Sequence, residues 1–382
     1  MAAFANDTKS DIALVLSGGG ARAAYQVGVL SAIGERRPEL DIPIHAGVSA
    51  GAINTISLAA HPGTFGASVR ALKREWSRLT VEDVYRVRMS GLVRGGFRWV
   101  GQRVFRRKGS TVVRGVFDME PLRGYLGQRV KFERIAKKVD TGQLRAVTLS
   151  ATCYTSGETV TFVQGAPDVP MWERSQRRGV RSLLNLDHVI ASAAVPILFP
   201  AVRIGEGFYG DGSVRQAAPL APAIHLGADR IIAISMRSSR QTRERQTEEV
   251  TYYPSAAQVM GMLFHSIFLD SLDQDAERLE RINGILRSVQ AGTPVAGNLR
   301  PVKLLVLRPS LDLGALARPH TKRLPTVIRS LVESIGGQRE GASDFISYLL
   351  FDPAYTVPLM ELGYDDAKEQ WERIERFLDG ET

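Results

Sequence analysis

Ile12-Ala13-Leu14-Val15-Leu16-Ser17-Gly18-Gly19-Gly20-Ala21-Arg22 and Ile42-Pro43-Ile44-His45-Ala46-Gly47-Val48-Ser49-Ala50-Gly51 share one design. Each is an apolar run, then a glycine-bearing turn, then an alanine-rich stretch compatible with a helix. An unbroken apolar run suits a strand buried on both faces, as in a parallel sheet. After the first turn, Val27, Leu30 and Ile33-Gly34 give helical spacing and a glycine stop. After the second, Ala52 to Ala60 continues as a helix and stops before Pro62. The opening of the chain therefore reads βαβα, the signature of an α/β fold with right-handed crossovers.

Gly47-Val48-Ser49-Ala50-Gly51 also fits G-x-S-x-G, the elbow that exposes a serine hydroxyl on a sharp strand-to-helix turn. Gly47 and Gly51 suit such a turn, where a Cβ would clash with the facing backbone. The helix that follows aims unpaired N–H groups at the turn, which favours negative charge beside Ser49. Gly18, Gly19 and Gly20 can gather successive backbone N–H groups into one concavity, a candidate oxyanion hole. Arg22 is placed to hold that loop or to meet a phosphate; an ion-paired residue at a helix start is the plainer reading.

A serine at an elbow needs a base. The six histidines are His45, His61, His188, His225, His265 and His320, and none sits in a recognisable loop signature. Asp211 sits at a tight turn between Tyr209-Gly210 and Gly212, where glycine neighbours let a carboxylate approach another group closely. Ser49 and Asp211 are therefore the preferred pair. Spacing alone favours an Asx-turn role for Asp211, and that alternative stays open.

At 382 residues, 44% hydrophobic and 23% charged, the chain has the composition of a globular protein with one large core, or one core plus an appendage. No apolar run approaches the ~20 residues of a membrane span, and Met1 to Ser10 lacks the apolar centre of a signal peptide. Cytoplasmic residence, with peripheral attachment to a membrane, is the expectation. A single cysteine, Cys153, excludes an internal disulfide and reads as a small buried hydrophobe. The net charge of +9 is concentrated in residues 85–117, where nine basic residues stand with no acid. Arg94, Arg98, Arg103 and Arg106 interleave there with Phe97 and Val100. That stretch reads equally as a solvated insertion or as a segment resting on an anionic membrane. No recognition-helix, RNP or zinc pattern accompanies the charge, so no nucleic-acid partner is expected.

Later in the chain, 65–79 is an amphipathic helix and 118–126 a capped helix start. Arg145 to Tyr154 and Thr159 to Val163 are strands, Asp187 to Ala194 a short helix, and Val202 to Ile204 with Gly207 to Tyr209 a hairpin ending at Asp211. Arg230 to Ser235 and Lys303 to Leu307 are further strands, with helical patterns over 255–290 and beyond Pro309.

Four blocks in this order resemble the patatin-like phospholipase family over roughly 11–310. They are Gly18-Gly19-Gly20-Ala21-Arg22, Gly47-Val48-Ser49-Ala50-Gly51-Ala52, Ser192-Ala193-Ala194-Val195-Pro196 with Phe199-Pro200, and Asp211-Gly212. The resemblance implies a three-layer α/β/α fold with a central, mostly parallel sheet. It also implies a Ser49–Asp211 dyad without histidine, and hydrolysis of phospholipid or lysophospholipid acyl esters with neither metal nor cofactor. Ala23 stands where the family often has glycine, and Ser213 where a small apolar residue is usual. The division expected is an N-terminal segment (1–10), the acyl hydrolase domain (11–310, with 85–117 as a basic insertion or cap) and a helical C-terminal extension (311–382). Oligomeric state is not legible.

Two other readings compete. Gly18-x-Gly20-x-x-Ala23 after a strand fits a dinucleotide fingerprint, with Glu39 or Asp41 as the acid. That reading needs the acid at the end of the second strand, whereas Glu39 and Asp41 precede it. The other is a lipid-binding protein that keeps the fold without catalysis, against which the intact Ser49 and Asp211 speak.

Overall fold

The two apolar runs lie side by side as parallel strands. β1 (Ile12–Leu16) and β2 (Ile44–Val48) pair from Ala13↔Ile44 to Leu16↔Gly47, and every residue of both is buried. β2 begins two residues later than the apolar run does. Pro43 has no N–H to give the ladder, and its carbonyl instead accepts from Arg145 N–H at 2.8 Å. The computed structural model describes residues 11–87, 115–238, 253, 255–289, 299–334 and 342–381. Arg94, Arg98, Arg103 and Arg106 of the basic stretch lie outside them, as do residues 1–10.

In chain order the elements that build the site are as follows. α1 (Ala24–Arg36) follows β1 through a single 3₁₀ turn, Gly20–Ala23. α2 (Ala50–Ala59) follows β2, and α3 (Phe65–Trp76) buries Val69, Leu72 and Trp76 at helical spacing. α4 (Glu120–Arg129) leads towards β3 (Ala146–Cys153) and β4 (Thr159–Gly165). β5 (Glu173–Arg174), β6 (Arg177–Arg181) and α5 (Leu186–Ala193) come next. The hairpin of β7 (Val202–Ile204) and β8 (Gly207–Asp211) precedes β9 (Arg230–Ile234). α6 (Ala256–His265) and α7 (Ser271–Ser288), joined by a π turn at Ser266–Asp270, lead to β10 (Lys303–Leu307). α8 (Ala342–Leu349) and α9 (Pro353–Glu369) come after.

The strands form one sheet in the order β10-β9-β1-β2-β3-β4-β6-β5, with β8 added on β3 and β7 on β8. From β10 to β3 all pairs are parallel. β4 then turns back antiparallel after the tight turn at Gly157, so the sheet is mixed rather than uniformly parallel. Side-chain alternation divides two cores. Leu14 and Leu16 of β1, with Ile232 and Ile234 of β9, point into the larger core beneath α1, α2 and α3. Ala13, Val15, Ile231 and Ala233 point to the other face, where Leu272, Ala276 and Leu279 of α7 cover them. Helix, sheet and helix make three layers.

The helices beyond residue 310 contribute to the larger core through Tyr348, Tyr355, Leu359, Met360, Ile374 and Leu378. α9 lies along α1 at two facing glycines. A Cβ on Gly28 would overlap the Met360 carbonyl, and one on Gly363 the Tyr25 carbonyl. Tyr25 seals the crossing with a 3.0 Å hydrogen bond to Asp366 Oδ2. Gly28→Ala is therefore expected to push the two helices apart, destabilising the fold by about 2 kcal/mol or more. A lowered urea midpoint measures it; an unchanged midpoint would mean that the crossing has slack.

Candidate active site

β3 is the template that brings Ser49 and Asp211 together. One edge of β3 carries β4 along its length, Ala146↔Gly165 to Thr152↔Thr159. The opposite edge is shared by two strands. β2 takes the first part in parallel, ending at Val48↔Ser150. β8 takes the next part antiparallel, with Asp211↔Ala151. The C-terminal ends of β2 and β8 thus arrive head to head at adjacent positions of one strand. Ser49 is the residue after β2, and Asp211 is the last residue of β8.

Ser49 has φ 55° and ψ −130°, in the left-handed half of the map that a side-chain-bearing residue rarely occupies. Such a conformation costs roughly 1–3 kcal/mol and persists only where surroundings enforce it. Here Ser49 N–H donates to Ser192 Oγ at 3.0 Å, and Ser192 Oγ–H donates to the Ser150 carbonyl at 2.6 Å. Ser49 C=O accepts from Ala52 N–H at 2.9 Å as α2 begins. Gly51 touches β1 closely enough that a Cβ would overlap the Leu16 carbonyl, and Gly212 is held likewise against the Ser150 carbonyl. A Cβ on Gly47 would stand 2.8 Å from Ala52 Cα.

Asp211 is fully buried. Its N–H donates to the Ala194 carbonyl and its C=O accepts from Thr152 Oγ1, both at 2.8 Å. Oδ1 accepts from Ser213 N–H at 2.9 Å, while Oδ2 has no hydrogen bond among the described residues. Burial pushes the carboxyl up to about 7, and the nearby hydroxyls of Ser49 and Ser213 offset part of that push. The Asx-turn bond to Ser213 occupies Oδ1 and leaves Oδ2 without a hydrogen bond, so the turn and a reactive carboxylate coexist.

The glycine loop closes over Ser49. A Cβ on Gly18 would come within 2.6 Å of Ser213 Oγ and 2.8 Å of Ser49 Cβ. Gly20 has φ 57° and lies against the Tyr348 carbonyl of α8, so both its conformation and its space require glycine. Among the described residues, no loop or turn hydrogen bond uses the N–H of Gly18, Gly19 or Gly20. Gly18→Ala is expected to lower turnover at Ser49 about tenfold or more while changing the thermal midpoint less, because its clashes fall on Ser213, Ser49 and Phe268 around the elbow. A midpoint that drops in step with turnover would assign Gly18 to folding alone.

Arg22 is buried and spends its guanidinium on protein partners. Its Nε donates to Ser347 Oγ at 2.7 Å and its terminal N–H groups to Asp344 Oδ1 at 3.0 Å, with the guanidinium 4.3 Å over the Tyr348 ring. His265 Nε2 lies 3.1 Å from the same carboxylate. Burial opposes charge on Asp344, but His265 and Arg22 outweigh it and hold the carboxyl down at about 2. Arg22 therefore pins the glycine loop to α8, the ion-paired alternative of the two. β2 is followed by Ser49 rather than by the acid that a dinucleotide fingerprint needs at that strand end.

From Ser49 an apolar slot runs inward, with about 490 Å³ of empty space including its mouth. Ala50, Ile53, Met119, Leu122, Leu198 and Phe199 line one part of it. Phe264, Phe268, Tyr348, Leu349 and Phe351 line another part. Among the described residues no histidine lines it. His45 faces a separate cleft with Asp41, Ser68 and Lys138, where burial and Lys138 hold it at about 4. Ser192 was legible within its block, but its hydrogen bond to Ser49 was not. The slot residues after 255 carried only an apolar pattern, which does not say what they face.

The sequence profile described as Patatin-like phospholipase matches residues 14–224, more than half of the chain. The chain belongs to the patatin-like phospholipase family. The matched stretch holds the glycine loop, Ser49 and Asp211, whereas α6, α8 and their slot residues lie beyond it. No curated protein matches the chain. Among solved structures it is similar to VipD from Legionella pneumophila, at 12% identity and TM-score 0.35, over 98% of this chain and 67% of that one. It is also similar to human GIVD cytosolic phospholipase A2, solved with methyl gamma-linolenyl fluorophosphonate, at 13% identity and TM-score 0.45. That match covers 97% of this chain and 58% of the human one, so the patatin-like chain described here spans just over half of that relative's length. ExoU of Pseudomonas aeruginosa, solved with SpcU, matches at 16% identity and TM-score 0.30, over 89% and 76% of the two chains.

Proposed function

We propose that this patatin-like protein hydrolyses fatty-acyl esters of phospholipid or lysophospholipid, with Ser49 as nucleophile and Asp211 as the base. The observation that carries the reading is the meeting of β2 and β8 on β3, which sets a strained serine against a buried carboxylate with one oxygen unbonded. The acyl chain lies in the apolar slot, and the ester carbonyl reaches Ser49 at its end.

In the first half-reaction Ser49 Oγ attacks the carbonyl carbon while Asp211 takes the hydroxyl proton. The tetrahedral oxyanion is held by N–H groups of the Gly18–Gly20 loop and by Ala50 N–H, the first unpaired donor of α2. Asp211 then gives the proton to the leaving alcohol oxygen, and the acyl group remains on Ser49. In the second half a water loses its proton to Asp211 and attacks the acyl carbonyl. The fatty acid departs and the proton returns to Ser49 Oγ. A carboxylate is an ordinarily weak base for this task. Raised to about 7 by burial, it is matched to neutral pH and still ionised for a useful fraction of the time.

The test is a lipid screen on the whole chain, reading fatty acid released from phosphatidylcholine, lysophosphatidylcholine and a short nitrophenyl ester. Release that disappears in Ser49→Ala supports the reading. A folded wild-type protein that releases acid from none of them would leave the fold serving lipid binding alone.

A further inference from the structure

On the face of the sheet opposite the acyl slot, the hairpin of β5 and β6 sets like charges against one another. The register places Glu173 opposite Arg178 but Arg174 opposite Arg177. Directly opposed like charges destabilise an antiparallel pair. β6 in turn pairs with β4 so that Thr159 stands opposite Arg177. Arg215, four residues beyond Asp211, comes in from the other side. Thr159, Arg174, Arg177 and Arg215 line a cavity with about 790 Å³ of empty space, mouth included, walled also by Trp172 and Gln216.

The cavity's cations are not neutralised from within. Arg178, outside it, has Glu158 at 3.6 Å. Arg174, Arg177 and Arg215 have no carboxylate within salt-bridge distance among the described residues. Asp275 is the acid whose field reaches Arg177, and it is already held by Leu220 N–H at 2.9 Å and Arg278 at 3.3 Å. Burial and the cations Arg174 and Arg177 keep His225 at about 4, so it brings no positive charge of its own at neutral pH. Two polar atoms here are buried without partners: Arg177 Nε, and Thr159 Oγ1 on a residue only 4% exposed. Gln216 Nε2 donates to Ser150 Oγ at 3.2 Å, Thr161 Oγ1 lies 3.1 Å from the same oxygen, and Arg174 donates one N–H to the Glu173 carbonyl at 2.9 Å.

We propose that this cavity binds a phosphate-bearing anion, with Arg174, Arg177 and Arg215 as its cationic wall and Thr159 Oγ–H as a further donor. Guanidinium forks match phosphate oxygens two at a time, and a doubly charged anion offsets the Arg174–Arg177 repulsion. A nucleobase does not fit the same walls. One face of Trp172 is closed by Gly179, where a Cβ would stand 2.8 Å from the ring. The indole stacks on His225 at 4.7 Å as well. Recognition therefore falls on the phosphate, and the site is separate from the ester chemistry.

The experiment is calorimetric titration of the full chain with inorganic phosphate and with inositol trisphosphate. Sedimentation with phosphatidylcholine vesicles, with and without a phosphatidylinositol phosphate, runs beside it. Binding of a soluble probe places the site on free phosphate compounds, and binding only to the phosphoinositide vesicles places it on a lipid headgroup. In either case Arg174→Gln with Arg177→Gln should weaken binding by about tenfold or more for each guanidinium removed. Phosphate should raise the thermal midpoint of the wild type and not of the variant. If the double variant fails to fold, Arg215→Gln and Thr159→Val give the same reading. Absence of binding to every probe, or equal binding by wild type and variants, overturns the proposal. Neither outcome touches the hydrolytic reading, since no readout depends on Ser49.

Discussion

Ser49→Ala is expected to lower ester hydrolysis by about 10⁴-fold or more and to leave the fold standing. The size follows from the role: without Oγ no acyl-enzyme forms, and the amide donors and slot can only position water. The intact fold follows from the surroundings. The bonds that hold the elbow come from the backbone of Ser49, to Ser192 Oγ and from Ala52 N–H, and alanine keeps both. Alanine at φ 55° carries the same backbone strain, so the variant gains nothing from relief. The missing hydroxyl also removes one of the groups that offset the burial of Asp211, whose carboxyl should then titrate higher still. Fatty acid release and thermal unfolding, measured on one preparation, check both halves. Retained turnover would place the nucleophile elsewhere.

Asp211→Asn should lower turnover by about 10³-fold, since the amide cannot accept the serine proton. It should also separate activity from stability in a way that depends on pH. In the folded chain burial raises the Asp211 carboxyl from its ordinary 3.8 to about 7. Between those values the folded protein holds a proton that the unfolded chain has released. Stability therefore falls as pH rises through that window, and the loss is complete above it. Asparagine has no such charge. The variant should match the wild type at acid pH and surpass it by a few degrees in thermal midpoint above about pH 7. Wild-type kcat/KM should rise with pH through the same region, because only the ionised carboxylate is a base. A stability difference of the opposite sign would mean that Asp211 is paired and ionised in the fold.

The sequence displayed the local half of this geometry. Continuous apolar runs announced β1 and β9, G-x-S-x-G announced the turn at Ser49, and the hairpin ending at Asp211 was readable from its turn residues. The register that makes β2 and β8 share one edge of β3 was not, because pairing between distant segments leaves no periodic trace. Pro43 moved the start of β2 by withholding an amide, a shift of two residues that apolar pattern alone does not show. The helix over 133–140 was missed since only Ile135 of its residues is buried. Arg22 illustrates the opposite problem. Its place beside a glycine loop left holding the loop, meeting a phosphate and plain ion pairing all open, and the partners that decide between them come from α8, more than three hundred residues later.

The most direct measurement is the rate at which a long-chain fluorophosphonate modifies the protein, with peptide mapping of the adduct. The adduct should fall on Ser49, form faster as pH rises through about 7, and form about a thousandfold more slowly in Asp211→Asn. An adduct on another residue, or an Asp211→Asn variant labelled as fast as the wild type, would contradict the pairing of these two side chains.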